Sequence, residues 1–167
     1  MKKLNKSARI ASAKAVTIAA IIMVIAWITQ ANFQLVRNHS ESLPFHSVLI
    51  KKGKIPNKID QIFVFKVKNN LHYPNQEKVF IKLVKGFAGD EIKVRDAERE
   101  VYVLGELIAV AKSESLKGKP LTIIEAGIIP PHKFFAYTPH KDSLDSRYQD
   151  LGLVDEKDII GTAIATF

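Results

Sequence analysis

Residues 62–84 read IFVFKVKNNLHYPNQEKVFIKLV, and this stretch decides the fold class. Two runs, Ile62-Phe63-Val64-Phe65-Lys66-Val67 and Val79-Phe80-Ile81-Lys82-Leu83-Val84, are dense in β-branched and aromatic residues. Between them lie Asn69-Asn70 and Pro74-Asn75, residues that favour turns. The same texture continues outward. Glu91-Ile92-Lys93-Val94, Val101-Tyr102-Val103-Leu104, Leu121-Thr122-Ile123-Ile124 and Phe134-Phe135-Ala136-Tyr137 are further strand-like runs. Gly53, Pro56-Asn57, Gly86, Gly89-Asp90, Gly105, Gly118, Pro120 and Pro130-Pro131 punctuate them. Short strands at regular spacing predict an all-β sandwich or barrel from residue 46 onward. After residue 37 no long stretch has a helical period; residues 113–117 predict at most a single turn.

Upstream the composition changes. Residues 15–36, AVTIAAIIMVIAWITQANFQLV, contain no charge and are bracketed by Lys14 and Arg37. As a helix this segment would extend ~33 Å, enough for a hydrocarbon core of roughly 30 Å. The most apolar part is residues 15–28, and Trp27 suits an interfacial belt. Two readings stay open: an uncleaved anchor, or a signal peptide cut after Thr29-Gln30-Ala31. Five of the chain's 25 basic residues (Lys2, Lys3, Lys6, Arg9, Lys14) precede this segment and none of its 17 acidic residues does, so the rest carries 20 against 17. The excess of basic charge is therefore a tail rather than a basic face on a folded domain. That excludes a nucleic-acid partner and predicts a cytoplasmic N-terminus with an exported C-terminal domain. The division expected is a basic cytoplasmic tail at 1–14, a transmembrane anchor at 15–36 and an exported domain at 37–167.

The chain has no cysteine, which removes disulfides, thiolate zinc sites and thiol nucleophiles. No Gly-rich phosphate loop, H-E-x-x-H, G-x-S-x-G or S-x-x-K motif is present. His39, His46, His72, His132 and His140 share no metal-ligand spacing, and neither a cofactor nor a metal is expected. Asn38-His39-Ser40 matches a glycosylation sequon, a triplet common by chance. Lys82 stands out because it interrupts Phe80-Ile81-Lys82-Leu83-Val84; it either snorkels to water or is buried with lowered proton affinity. Ser42, in Ser40-Glu41-Ser42-Leu43-Pro44, reads as an ordinary turn serine. Asp142-Ser143-Leu144-Asp145-Ser146-Arg147-Tyr148 reads as a surface loop stapled by an Asp145–Arg147 pair.

Taken in order, these pieces resemble the bacterial signal peptidase I family of serine–lysine proteases. Asp145-Ser146-Arg147-Tyr148, with Ser143 ahead of it and Ile160-Gly161 soon after, is similar to the family's N-S-x-D-S-R-Y signature and the short strand that follows. Phe80-Ile81-Lys82-Leu83-Val84-Lys85-Gly86-Phe87-Ala88-Gly89-Asp90 resembles the Y-x-K-R-x-x-G-x-P-G-D box, with Ala88 in place of its proline. Ser42-Leu43-Pro44 falls where the family carries its nucleophile, one residue shorter than S-M-x-P. Thr138-Pro139-His140-Lys141-Asp142 replaces G-D-N-R-D, and Gln149 departs from the pattern after Tyr148. The single anchor, the small exported domain, Ser42-Leu43-Pro44 and Ser143-Leu144-Asp145-Ser146-Arg147-Tyr148 are most similar to the TraF-type peptidases of conjugative transfer.

The resemblance implies a mainly β, signal-peptidase/LexA-like complex β fold preceded by one N-terminal transmembrane helix. It implies Ser42 as nucleophile and Lys82 as general base, with Ser143 orienting the Lys82 amine. It assigns the oxyanion to the Ser42 backbone N–H and the Ser40 hydroxyl. Asp145 and Arg147 are expected to pair and hold the loop, with direct chemistry by Asp145 as the sharper alternative. The implied activity is maturation of an exported precursor, most specifically a conjugative pilin, at the inner-membrane surface with the domain in the periplasm. A general signal peptidase and a catalytically inactive, membrane-tethered β-module are the alternatives. A self-cleaving repressor is disfavoured by the membrane span. Small residues one and three before the cut are the implied substrate preference.

Overall fold

The computed structural model describes residues 6–70 and 73–167, so Lys2, Lys3 and His72 lie outside the described residues. A single long helix, α1 (Lys6–Asn32), opens the chain. Its segment Ala11–Asn32 is apolar and exposed on every face, and is long enough to cross a membrane. Three of its polar side chains fold back on the helix. Thr17 and Thr29 donate to the Ala13 and Ile25 carbonyls (3.0 and 2.8 Å), and Asn32 donates to Ile28 (2.8 Å). Such back-bonding satisfies a hydroxyl or amide where no water is at hand. The helix ends at Asn32, and Phe33–Arg37 continues as a β-strand in which Phe33 and Val36 are half-buried and the other three residues exposed.

The strands in chain order are β1 (Phe33–Arg37), β2 (Ser47–Lys52), β3 (Ile62–Asn70), β4 (Tyr73–Gly86), β5 (Glu91–Arg95), β6 (Glu100–Val103), β7 (Glu106–Val110), β8 (Gly127–Ile128), β9 (Lys133–Tyr137), β10 (Val154–Asp155) and β11 (Ile159–Thr166). They form a seven-stranded sheet, β1-β2-β11-β3-β4-β9-β10, and a four-stranded sheet, β7-β6-β5-β8. The structure is thus mainly β with one N-terminal apolar helix, as the sequence indicates. Beyond α1, the helical structure among the described residues is a short 3-10 turn at Glu156–Asp158.

The β3–β4 ladder is the centre of the domain. Phe63 pairs with Lys82, Val64 with Ile81 and Phe65 with Phe80. Directly opposed residues share a face, and successive residues alternate. One face therefore carries Phe63, Phe65, Phe80, Lys82 and Val84, and builds a core with Phe134, Ala136 and Val154. The other carries Val64 and Ile81 and builds a second core with Leu43, Val48 and Ile50. A third core, Ile92, Val101, Val103, Ile124, Ile129 and Phe135, lies under the small sheet. At Gly86 a Cβ would come within 2.6 Å of Ile129 Cδ1 and 3.0 Å of Val103 Cγ1, so glycine is what lets β4 approach that core.

Two strand expectations are corrected. Residues 121–124 make no strand; they meet the chain around Tyr148 through one isolated bridge, Ile123 to Tyr148, flanked by Ile124 N–H to Arg147 O and Gln149 N–H to Thr122 O (both 2.9 Å). Their partner is itself turning (Tyr148 N–H to Asp145 O, 3.1 Å), so no ladder extends. The strand expected at 101–104 stops at Val103, because Leu104 (φ 54°) and Gly105 (φ 81°) form the two-residue hairpin turn to β7. The single helical turn expected at 113–117 is not formed: Glu114 bridges Pro120, and the chain reverses between them in a tight turn closed by Gly118 N–H to Ser115 O at 2.9 Å.

Candidate active site

Lys82 is buried, with 6% of its surface exposed, on the aromatic face of β4. Its ammonium lies 5.5 Å from the Phe80 ring centroid. The snorkelling reading is thereby excluded. Its Nζ donates to Ser143 Oγ at 2.5 Å and to Thr138 Oγ1 at 3.4 Å, and Thr138 Oγ1 donates to Ser143 Oγ at 2.5 Å. Thr138 follows β9 directly and Ser143 lies five residues on, in the Asp142–Tyr148 run. Burial pulls the Lys82 ammonium down from 10.5 to about 8; the Asp145 carboxylate works against this and the Arg147 guanidinium with it. At pH 7 roughly a tenth of such a lysine is neutral, several hundred times the fraction of a free one. Physically, this is a lysine prepared to accept a proton.

The Asp145-Ser146-Arg147-Tyr148 segment is the platform beneath that cluster, and all four residues are buried. Arg147 grips Asp145 through Nε and a terminal guanidinium nitrogen, both at 2.7 Å, and donates to the Thr138 carbonyl at 2.8 Å. Asp145 also accepts the Thr138 N–H at 3.2 Å. The guanidinium stands 5.0 Å from the Tyr137 ring centroid. Ser146 Oγ accepts the Ala136 N–H at 2.9 Å and donates to the Gly152 carbonyl at 2.6 Å. Tyr148 OH accepts the Lys112 N–H at 3.0 Å. Asp145 and Arg147 are spent on each other and on residue 138, which fits the paired role expected for them. Far from being a surface loop, the segment is buried and hydrogen-bonded on several sides.

Ser42 lies in the connection between β1 and β2 and lines, with Ser40, Lys82 and Ser143, one cavity of about 370 Å³. Leu43 beside it is buried in the second core, which pins the loop from below. Among the described residues no hydrogen bond joins Ser42 to Lys82. In empty sites such bonds are often long and tighten only with substrate. Ser40 faces the same cavity, but its hydroxyl and its N–H both go to Asn38 Oδ1 (3.0 and 3.1 Å). The Ser40 hydroxyl expected at the oxyanion is therefore engaged elsewhere in this state.

Two residues of the site escaped the sequence reading. In the sequence Thr138 stands out only as part of a departure from a motif, yet it touches both Lys82 and Ser143. Asn38 shows in the sequence only as a sequon match. Its Nδ2 donates to the Leu43 and Phe45 carbonyls (3.2 and 2.9 Å) while its Oδ1 holds Ser40, so it shapes the loop that carries Ser42. An asparagine readily forms a turn by accepting the backbone N–H two residues on, as Asn38 does from Ser40. That signal was available and indicates a local scaffold rather than a glycan acceptor. Among the described residues no three His, Asp or Glu side chains gather as a metal site would require.

A buried lysine of lowered basicity, hydroxyls on it and a loop serine in the same cavity are the parts of a serine–lysine hydrolase. The model of the signal peptidase family, peptidase S26, matches residues 9–167, and the chain belongs to that family of serine endopeptidases. No curated protein matches the chain closely enough to count as a relative.

Proposed function

We propose that this is a membrane-anchored serine endopeptidase in which Ser42 is the nucleophile and Lys82 the general base. The observation that carries the reading is Lys82, buried and with its affinity for a proton lowered to about 8, sharing a cavity with Ser42. Ser42 Oγ attacks the scissile carbonyl carbon and its proton passes to the neutral Lys82 amine. The C–N bond then breaks, the leaving amine takes that proton, and the acyl group stays on Ser42. Water attacks the ester, gives a proton to Lys82, and Ser42 is restored when Lys82 returns it. Ser143 and Thr138 each accept an N–H of the amine, which turns its lone pair toward the open cavity. The Ser42 N–H receives the oxyanion, joined by the Ser40 hydroxyl once that group rotates off Asn38.

The substrate is an exported precursor, and its extended segment runs beside residues 78–82 of β4, which wall the cavity. α1 anchors the enzyme in the inner membrane, with the basic tail in the cytoplasm and the domain in the periplasm. The likeness of Ser42-Leu43-Pro44 and of residues 143–148 to TraF-type peptidases favours a conjugative pilin over a general secretory precursor. The test is incubation of the full chain in lipid vesicles with candidate precursors, products being read by mass. A single cut after Ala-x-Ala, absent in Ser42→Ala, is expected. Equal cutting by Ser42→Ala, or by Lys82→Arg, whose guanidinium does not deprotonate, overturns the dyad.

A further inference from the structure

Behind Ser143 lies a second cavity, of about 210 Å³, which the mechanism above does not use. It shares one wall, Asp142-Ser143-Leu144, with the cavity that holds Ser42 and Lys82. Its floor is Leu121 and Tyr148, both buried, and its lip is Leu116, which is 79% exposed. An isolated leucine on a surface needs no explanation. This one sits at the mouth of a pocket whose surface is mainly apolar, though Glu114, Lys117 and Lys119 also line it, on a loop that is firmly built.

The loop runs from Ala111 to Leu121, and the Arg99 side chain ties its two ends together. Arg99 donates to the Ala111, Lys112 and Leu121 carbonyls at 3.0, 2.8 and 2.9 Å. Within the loop Leu121 N–H reaches Ser113 O, and Ser115 N–H reaches Lys119 O, both at 2.8 Å. The Tyr148 hydroxyl accepts the Lys112 N–H at 3.0 Å, and Lys112 Nζ bonds Asp142 Oδ1 at 2.5 Å. Tyr148 and Asp142 belong to the segment that carries Ser143. The pocket and the base are thus held by one framework. Pockets for small molecules and cofactors are typically ~300–1,000 Å³; this one is of the size of one large side chain.

Chemistry sets which side chain. The departing amine takes its proton from Lys82, so the nitrogen of the scissile bond comes to Lys82 Nζ, which is bonded to Ser143. The acyl side remains with Ser42 in the first cavity. The chain beyond the nitrogen then passes over Ser143 and Leu144, and the second cavity is what it meets. We infer that this pocket is the subsite for a large apolar side chain on the leaving side of the cut, within the first three residues after it. The inference rests on the peptidase reading and deepens it by giving the substrate a requirement on the leaving side.

The experiment uses the full chain in vesicles and a precursor series with Leu, Phe, Gly or Asp at each of the three positions after the cut, read as kcat/KM. At one position Leu and Phe are expected to exceed Gly and Asp by about tenfold, the scale of a filled apolar pocket. In Leu116→Asp, a change at an exposed position that leaves the core intact, that ratio is expected to fall toward one. An active enzyme with a flat series at all three positions, or a ratio that Leu116→Asp leaves unaltered, overturns the inference alone. Absence of cleavage of every member overturns the peptidase reading and the inference together.

Discussion

The two chain segments that meet at the cavity are built differently. Residues 138–148, which carry Ser143, are buried at Thr138, Ser143 and 145–148, and nearly every polar group there has a partner inside the domain. Residues 38–46, which carry Ser42, are exposed or half-buried apart from Leu43, and one side chain, Asn38, supplies their internal side-chain bonds. On the mechanism proposed above, the base is held against a well-anchored platform and the nucleophile stands on a more exposed loop. A lysine keeps a lowered affinity for its proton only if water and carboxylates are kept at fixed distances, whereas a serine that must meet a substrate carbonyl gains from some freedom.

The comparison breaks most sharply at Arg147. Arg147→Met leaves Asp145 buried without its partner, and breaking a buried pair on one side costs about 3–5 kcal/mol. Chemical denaturation is expected to show a loss of that size, with Ser42→Ala unchanged to within ~0.5 kcal/mol. Similar losses for the two would mean that the nucleophile loop is as structural as the platform.

Next comes Lys82 itself. Its folded-state value of about 8 lies below 10.5, so between these the unfolded chain holds more protons and stability rises with pH. Below about pH 8 the folded protein bears the full cost of a buried charge, about 3 kcal/mol. Lys82→Met is thus expected to be more stable than the parent at pH 7 by up to that amount, less what the Ser143 and Thr138 bonds return. The gain shrinks above pH 8 and vanishes beyond about 10.5. Cleavage by the parent should rise with pH through an apparent value near 8. A pH-independent difference between parent and Lys82→Met would show that Lys82 is not titrating in this window.

The smallest effect is expected on the loop. Asn38→Ala removes neutral hydrogen bonds at a half-buried site, worth about 1–2 kcal/mol together. It also releases Ser40 and loosens Ser42, so kcat is expected to fall more than KM changes. A KM effect alone would place Asn38 in substrate binding instead of loop geometry.

Much of this was legible beforehand, for reasons that can be named. The α1 segment follows from an uninterrupted apolar composition, and β3 and β4 from runs of β-branched and aromatic residues. Lys82 announced itself by breaking such a run. Residues 121–124 have the same strand-like composition as β9 yet form no ladder, because strand propensity cannot supply a straight partner and the neighbouring chain turns at Asp145. Leu104 looked like a strand residue, yet its backbone is committed to the hairpin turn. Thr138 and Arg99 gave no local signal at all: each is an ordinary polar residue whose partners lie far off in the chain.

By itself the amino-acid sequence determined the elements: an apolar helix, then strands, with one lysine where a strand should be apolar. Those follow from interactions among near neighbours, which composition and period express directly. Only the tertiary structure decided that Lys82 is buried and not snorkelling, because its two hydroxyl partners come from 56 and 61 residues away. Loss of water and the approach of Asp145 and Arg147 set its basicity, and both are products of packing. A charge's surroundings are fixed by every segment folded against it, and no stretch of chain carries that information alone.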